Sequence, residues 1–86
     1  MINNYNFQIL FGKKIKELRT EKALSYRQLA QRCGVDHSNI SKIEKGEINI
    51  RLSTIFELAI GLQKMPKELL DIDFDFDKYY KELDKI

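Results

Sequence analysis

A single cysteine (Cys33), a single histidine (His37), a single proline and no tryptophan occur among the 86 residues. One thiol closes no internal disulfide and suits a reducing cytoplasm. One histidine beside one cysteine is too few soft ligands for a zinc site, so no metal is expected. Long apolar runs are lacking as well. No stretch approaches the ~20 residues that span a bilayer. The opening "MINNYNFQILFGKK" has neither the basic lead nor the small-residue cleavage site of a secretory signal. A glycine-rich phosphate loop, a nucleophile elbow and paired carboxylates with a plausible pocket are also missing. No enzyme, no cofactor and no membrane association is therefore expected. A cytoplasmic binding protein remains.

What is present fits one small folded domain: 43% of residues are apolar and 33% charged, enough for a modest core under a polar surface. The net charge of +2 conceals a polarity. Residues 71–86 carry six acids against three lysines, a balance of −3, whereas residues 1–70 carry twelve Lys/Arg against seven acids, +5. A basic body with an acidic tail suits a polyanionic partner for the body. The expected division is a binding domain over 1–70 and an acidic, aromatic segment over 71–86 that serves dimerisation.

Helical spacing recurs along the body. A first helix is expected over Asn6 to Lys22, with Phe7, Leu10, Phe11, Ile15 and Leu18 on one side. Ser25 should cap a second, Gln28 completing a capping box and Leu24 with Leu29 a hydrophobic staple. Gly34 should end it. Asp36 caps a third helix, flanked by a Val35–Ile40 staple and closed at Gly46. "EINIRL" alternates too briefly for a sheet and reads as a loop tucked under the core. A fourth helix follows over Leu52 to Gln63, with Ile55, Leu58, Ala59 and Leu62 inward. Pro66 opens a short fifth, "PKELL". The tail "DIDFDFDKYYKELDKI" alternates like a strand in its first half and is spaced like a helix in its second, so strand, helix and disorder all stay open. The expected fold class is all-α, a compact five-helix bundle.

Helices 2 and 3 meet the requirements of a helix-turn-helix. Ala30 is small where two backbones cross, Gly34 can supply a positive φ at the turn, and Ile40 can reach back between the helices. With Ile40 and Ile43 facing inward, His37, Ser38, Ser41, Lys42 and Lys45 line the opposite face. Short side chains let such a helix enter a major groove about 12 Å wide, where Ser, His and Lys can bond base edges. The bland alternative is a solvated face, which usually carries longer Glu and Lys side chains. His37 as a pH switch, Cys33 as a redox sensor rather than core filler, and "DIDFDFD" as a calcium loop are sharper alternatives. The last lacks the turn glycine and closing glutamate of an EF-hand. Packing of Ile72, Phe74 and Phe76 on the bundle or on a second subunit is the plainer reading, with Tyr79 and Tyr80 suited to an interface.

The stretches "FGKKIKELRTEKALSYRQLAQRCGVDHSNISKIEKGE" and "LSTIFELAIGLQKMPKELLD" resemble the Cro/repressor helix-turn-helix family, also called the xenobiotic-response-element family. The resemblance covers about 60 of the 86 residues and implies a repressor-like bundle that binds operator DNA as a dimer, its third helix in the major groove. It places base reading on His37, Ser38, Ser41 and Lys42, with Asn39 at their edge. Phosphate contacts fall on Ser25, Tyr26 and Arg27, on Lys45, and on the loop from Asn49 to Arg51. The family's recurrent Arg–Glu pair falls on Arg19 and Glu44. Three positions depart from the family pattern. Ala23 stands where glycine is usual, so either it is left-handed and strained or helix 1 ends differently. Tyr26 replaces a glutamine, and Ile50–Arg51 replaces proline followed by Ser or Thr.

The expected function is that of a sequence-specific, DNA-binding transcriptional regulator. It would act as a homodimer on a near-palindromic operator, as a repressor, controller or autoregulator. Its partner is double-stranded DNA, and its dimer interface is expected at Ile60, Phe74, Phe76, Tyr79 and Tyr80. The competing reading is an interaction module that binds a toxin or RNA polymerase, with DNA secondary.

Overall fold

Three helices end in one way, with a residue of left-handed φ that lets the next amide turn back onto the last turn. Ala23 (φ 55°), Gly46 (φ 73°) and Gln63 (φ 55°) are those residues. The amides of Leu24, Glu47 and Lys64 close onto the carbonyls of Arg19, Lys42 and Ala59 at 3.2, 3.0 and 3.0 Å. Glycine stands at only one of the three. Ala23 therefore takes the strained option, at a cost of ~1–2 kcal/mol.

The computed structural model describes residues 4–85. Its helices are α1 (Asn4–Glu21), α2 (Tyr26–Arg32), α3 (His37–Glu44), α4 (Leu52–Leu62), α5 (Pro66–Leu69) and α6 (Phe76–Leu83). No strand occurs among the described residues. The class is all-α as expected, but with six helices rather than five. The sixth arises in the tail. Asp75 accepts from the Lys78 amide at 2.9 Å and caps the run in which Phe76, Tyr79, Tyr80 and Leu83 recur at helical spacing. The alternating residues before it form no strand: the amides of Ile72 and Phe74 bond two residues back, to the carbonyls of Leu70 and Ile72 at 2.9 and 3.1 Å, as in successive tight turns. No described helix is long and apolar enough to cross a membrane.

The core takes Phe11, Ile15 and Leu18 from α1, Leu29 from α2, and Ile40 and Ile43 from α3. Leu58, Ala59 and Leu62 of α4 and Leu69 of α5 complete it. Each of these side chains other than Ala59 contributes roughly 1.5–3 kcal/mol by leaving water. Phe7 and Leu10, assigned to the same stripe, are half-buried. Ile48 and Ile50 of the loop pack against the core as expected. Gly12 has a role that helical spacing does not reveal. A Cβ there would sit 2.3 Å from the carbonyl oxygen of Ile43, so α1 and α3 meet backbone to backbone. That contact fixes the inner side of α3.

Gly34 is a correction. It is not among the residues of positive φ. The break after α2 comes instead from Cys33, which takes an extended conformation at φ −146°. Gly34 instead meets the Glu57 side chain of α4.

Candidate nucleic-acid interface

Both helices of the pair begin with the expected caps. Ser25 Oγ accepts from the Gln28 amide at 3.1 Å, and Gln28 Oε1 accepts from the Ser25 amide at 2.8 Å. The Asp36 carboxylate accepts from the Ser38 amide at 3.2 Å and from the Ser38 hydroxyl. These bonds, the hydroxyl's first, hold the Asp36 carboxyl below its ordinary range. Ser38 thus spends its donor on the cap and keeps its lone pairs for an incoming group. The His37 ring lies beside the same carboxylate, Nδ1 to Oδ1 3.6 Å.

Along the outer side of α3, Ser38, Asn39 and Lys42 are exposed and His37 and Ser41 half-exposed, while Ile40 and Ile43 are buried. The five residues expected to read bases are therefore brought onto one helix, over an apolar backing. Lys45 is exposed at its C-terminal cap. Asn49 and Arg51 line a cleft of about 470 Å³ together with Asn39 and Thr54, so the loop and the start of α3 share one concave surface. Arg51 precedes α4 without a side-chain capping bond, as its chemistry predicts, and is free to extend outward. Ser25 and Arg27 are exposed at the start of α2.

Tyr26 is half-buried and packs against the core. Its ring lies 4.4 Å from the Arg19 guanidinium carbon, a cation–π distance. Arg19 meets Glu44 through two bonds, Nε to Oε2 at 2.6 Å and Nη2 to Oε1 at 2.9 Å. Its Nη1 donates to the Leu24 carbonyl at 2.7 Å. The Glu44 side chain is only 2% exposed, and its hydrogen bond is the main cause that raises the Arg19 pKa further. One guanidinium thus ties the end of α3 to α1, to the left-handed turn after it and to the first residue of α2.

The alternatives for Cys33 and the acidic segment gain no support. Burial pushes the Cys33 thiol up, away from the reactive thiolate, and its Sγ donates to the Leu29 carbonyl at 3.3 Å. Among the described residues no group of His, Cys, Asp and Glu is placed to hold a metal ion. The tail aromatics divide in two. Phe74 is half-buried, with its ring 4.9 Å from that of Phe7 of α1, and Phe76 lies 4.5 Å from Phe74. Phe76, Tyr80 and Leu83 turn outward, and so does Ile60 of α4. Leu52 and Phe56 join Ile60 at i, i+4 and i+8, at 68%, 49% and 65% exposure. These two were not foreseen, although the spacing was there to be read. Glu57 was also missed: its Oε2 accepts from the Gly34 amide at 2.8 Å.

Comparison with known proteins places this architecture. The HTH_3 family, described as helix-turn-helix, matches residues 15–69. The control protein C.BamHI of Bacillus amyloliquefaciens is 37% identical over 67 residues, 77% of this chain and 83% of that protein. The crystal structure of the restriction-modification controller protein C.AhdI from Aeromonas hydrophila superposes with a TM-score of 0.70. It is 40% identical and covers 72% of this chain and 94% of its own. The same fold recurs in the restriction-modification controller protein C.Esp1396I, solved as a tetramer with its natural 35 base-pair operator. There the TM-score is 0.62 and the identity 22%, over 92% of this chain and 91% of that one.

Proposed function

We infer the use of the polar α3 face from one premise: this chain belongs to the HTH_3 helix-turn-helix family. It is a sequence-specific, DNA-binding transcriptional regulator, and we propose that it works in the cytoplasm as a controller of the restriction-modification type. His37, Ser38, Ser41 and Lys42 read base edges in the major groove, with Asn39 at the rim. Ser25, Arg27, Lys45, Asn49 and Arg51 hold phosphates. Tyr26 stands between two tasks, since its ring supports Arg19 while its position at the start of α2 suits a phosphate contact.

The observation that carries this reading is the outer face of α3. Short polar side chains stand on a helix locked from behind by Ile40, Ile43 and the Arg19–Glu44 pair. A solvated face has no need of so rigid a backing. The protein acts as a homodimer on a near-palindromic operator, residues 1–70 forming the DNA-binding domain and 71–86 assisting dimerisation. The Leu52–Phe56–Ile60 stripe supports this, because apolar side chains so exposed and so regularly spaced are those of an interface. Phe76, Tyr79 and Tyr80 of α6 offer a second, separate surface to the partner subunit, and Phe74 contributes less, being half-buried against Phe7.

Selection of bound duplexes from a random pool, followed by titration of the winner against salt, tests the reading. A recurring inverted repeat and a steep loss of affinity with salt are expected. Binding without base preference would favour the competing module for a toxin or RNA polymerase, to which the same apolar stripe is suited.

A further inference from the structure

Gly34 links α2 to α3 without a positive φ, so what sets the position apart is its surroundings rather than its backbone angle. What lies beside it is the Glu57 carboxylate of α4. A Cβ on Gly34 would stand 3.1 Å from Glu57 Oε2 and 3.4 Å from its carboxyl carbon. The oxygen that would be crowded is the one that accepts the Gly34 amide at 2.8 Å.

The position of this bond along α3 gives it meaning. The C-terminal end of α3 is held by Glu44 on Arg19, and its middle by Ile40 and Ile43 in the core. Its first residues, His37, Ser38 and Asn39, have no buried side chain of their own. Asp36 caps this end, but that bond stays within the helix and moves with it. The half-buried Val35 and the Glu57–Gly34 bond are what join this end to the body. We propose that Glu57 is a positioning residue for DNA reading: it pins the α2–α3 turn to α4 and sets the pose from which α3 meets the bases. The proposal rests on the DNA-reading role given above.

Energetics favour a positioning role over a stabilising one. Gly34 is exposed and Glu57 half-buried, so water can replace either partner when the bond is lost. Folding then changes little. Base-edge hydrogen bonds, in contrast, weaken steeply with misalignment. Phosphate contacts from Lys45 and Arg51 tolerate a small tilt, because their charge acts over distance and their side chains are long. Losing the tether should therefore cost discrimination before it costs affinity for DNA in general.

The test uses the full chain, the duplex recovered by selection and a scrambled duplex of equal length. Glu57→Ala should bind the selected duplex about tenfold more weakly, a loss of the size expected when one base contact is misaligned. The scrambled duplex should be bound as by the wild type, and Glu57→Gln, which keeps an acceptor, should retain discrimination. Amide hydrogen exchange at Gly34 should speed up in Glu57→Ala and stay slow in Glu57→Gln. Should Glu57→Ala fail to fold, Glu57→Met keeps the length of the side chain without its carboxylate and should reproduce the loss. Equal weakening on both duplexes, no weakening on either, or a Gln variant as impaired as the Ala variant would overturn the proposal. So would unchanged exchange at Gly34. Failure of the wild type to prefer any duplex would instead sink the DNA-reading role, and is seen without any variant.

Discussion

Arg19 shows how much one side chain can organise when each of its three nitrogens has a fixed partner. Its fork geometry matches a carboxylate through two bonds and still leaves a nitrogen for the Leu24 carbonyl. Removing Glu44 would strand a guanidinium whose side chain is only 11% exposed. Glu44→Ala is therefore expected to destabilise the fold by about 3 kcal/mol or more, read from denaturant melts. A melting curve that matches the wild type would show that the pair merely decorates the surface. Asp36 gives a prediction in pH. Its carboxyl lies below the ordinary value in the folded chain, so its contribution is complete above the ordinary carboxylate range. That contribution fades as the pH falls through the lowered value. Asp36→Asn should remove this part of the acid dependence, so the gap between its melting temperature and the wild type's should close towards strongly acidic pH. At this scale, the legible residues were those whose partners lie nearby in sequence. Ser25 with Gln28, and Asp36 with the first turn of α3, follow from spacing alone. Gly34 was given the wrong reason because Glu57 is 23 residues away and leaves no local trace. Gly12 was passed over because a glycine inside a helix explains itself only through the helix that crosses it.

Among the elements, α3 separates two kinds of cation. Lys42 is exposed on the last turn of the helix and Lys45 at its C-terminal cap, beside the left-handed turn at Gly46. Lys42→Ala is expected to cost roughly 1–3 kcal/mol on the preferred operator and to relax preference at one or two base pairs. Lys45→Ala should weaken every duplex about equally and lower the salt slope by about one contact per subunit. Parallel titrations of both variants on selected and scrambled DNA distinguish the two. If both lost affinity uniformly, Lys42 would be a phosphate ligand too. Helix types and caps were legible because each carried its own periodicity and punctuation. The tail was not, since an alternating run holds a strand only if another strand offers it hydrogen bonds. Its helical half formed because Asp75 caps it and Phe76 stacks on Phe7 of α1.

On the scale of the whole molecule, the α4 stripe and the outer side of α6 both leave large apolar side chains exposed among the described residues. Phe56→Glu, at the centre of the first, should lower dimer affinity by tenfold or more, on the order of 1.4 kcal/mol, without unfolding the monomer. Deleting residues 71–86 should have a smaller effect in the same direction, and ultracentrifugation reads both. A Phe56→Glu dimer of unaltered affinity would move the interface elsewhere. The stripe was legible only in part: Ile60 stood out as off the core face, whereas Leu52 and Phe56 passed for ordinary members of an apolar helix.

α4 presents Phe56 outward and, one residue on, sends Glu57 to the turn before α3. In the proposed dimer this joins the two reading heads like the arms of a caliper with a stiff hinge, and a stiff hinge has little play. An operator whose half-sites lie one helical turn apart, about 34–36 Å, fits both arms at once. One added base pair would turn one half-site by about 34–36° around the duplex, given 10–10.5 base pairs per turn. The arms could then grip only one half at a time. Affinity for such a lengthened operator should fall to that for an isolated half-site, whereas equal affinity for both lengths would mean that the caliper bends.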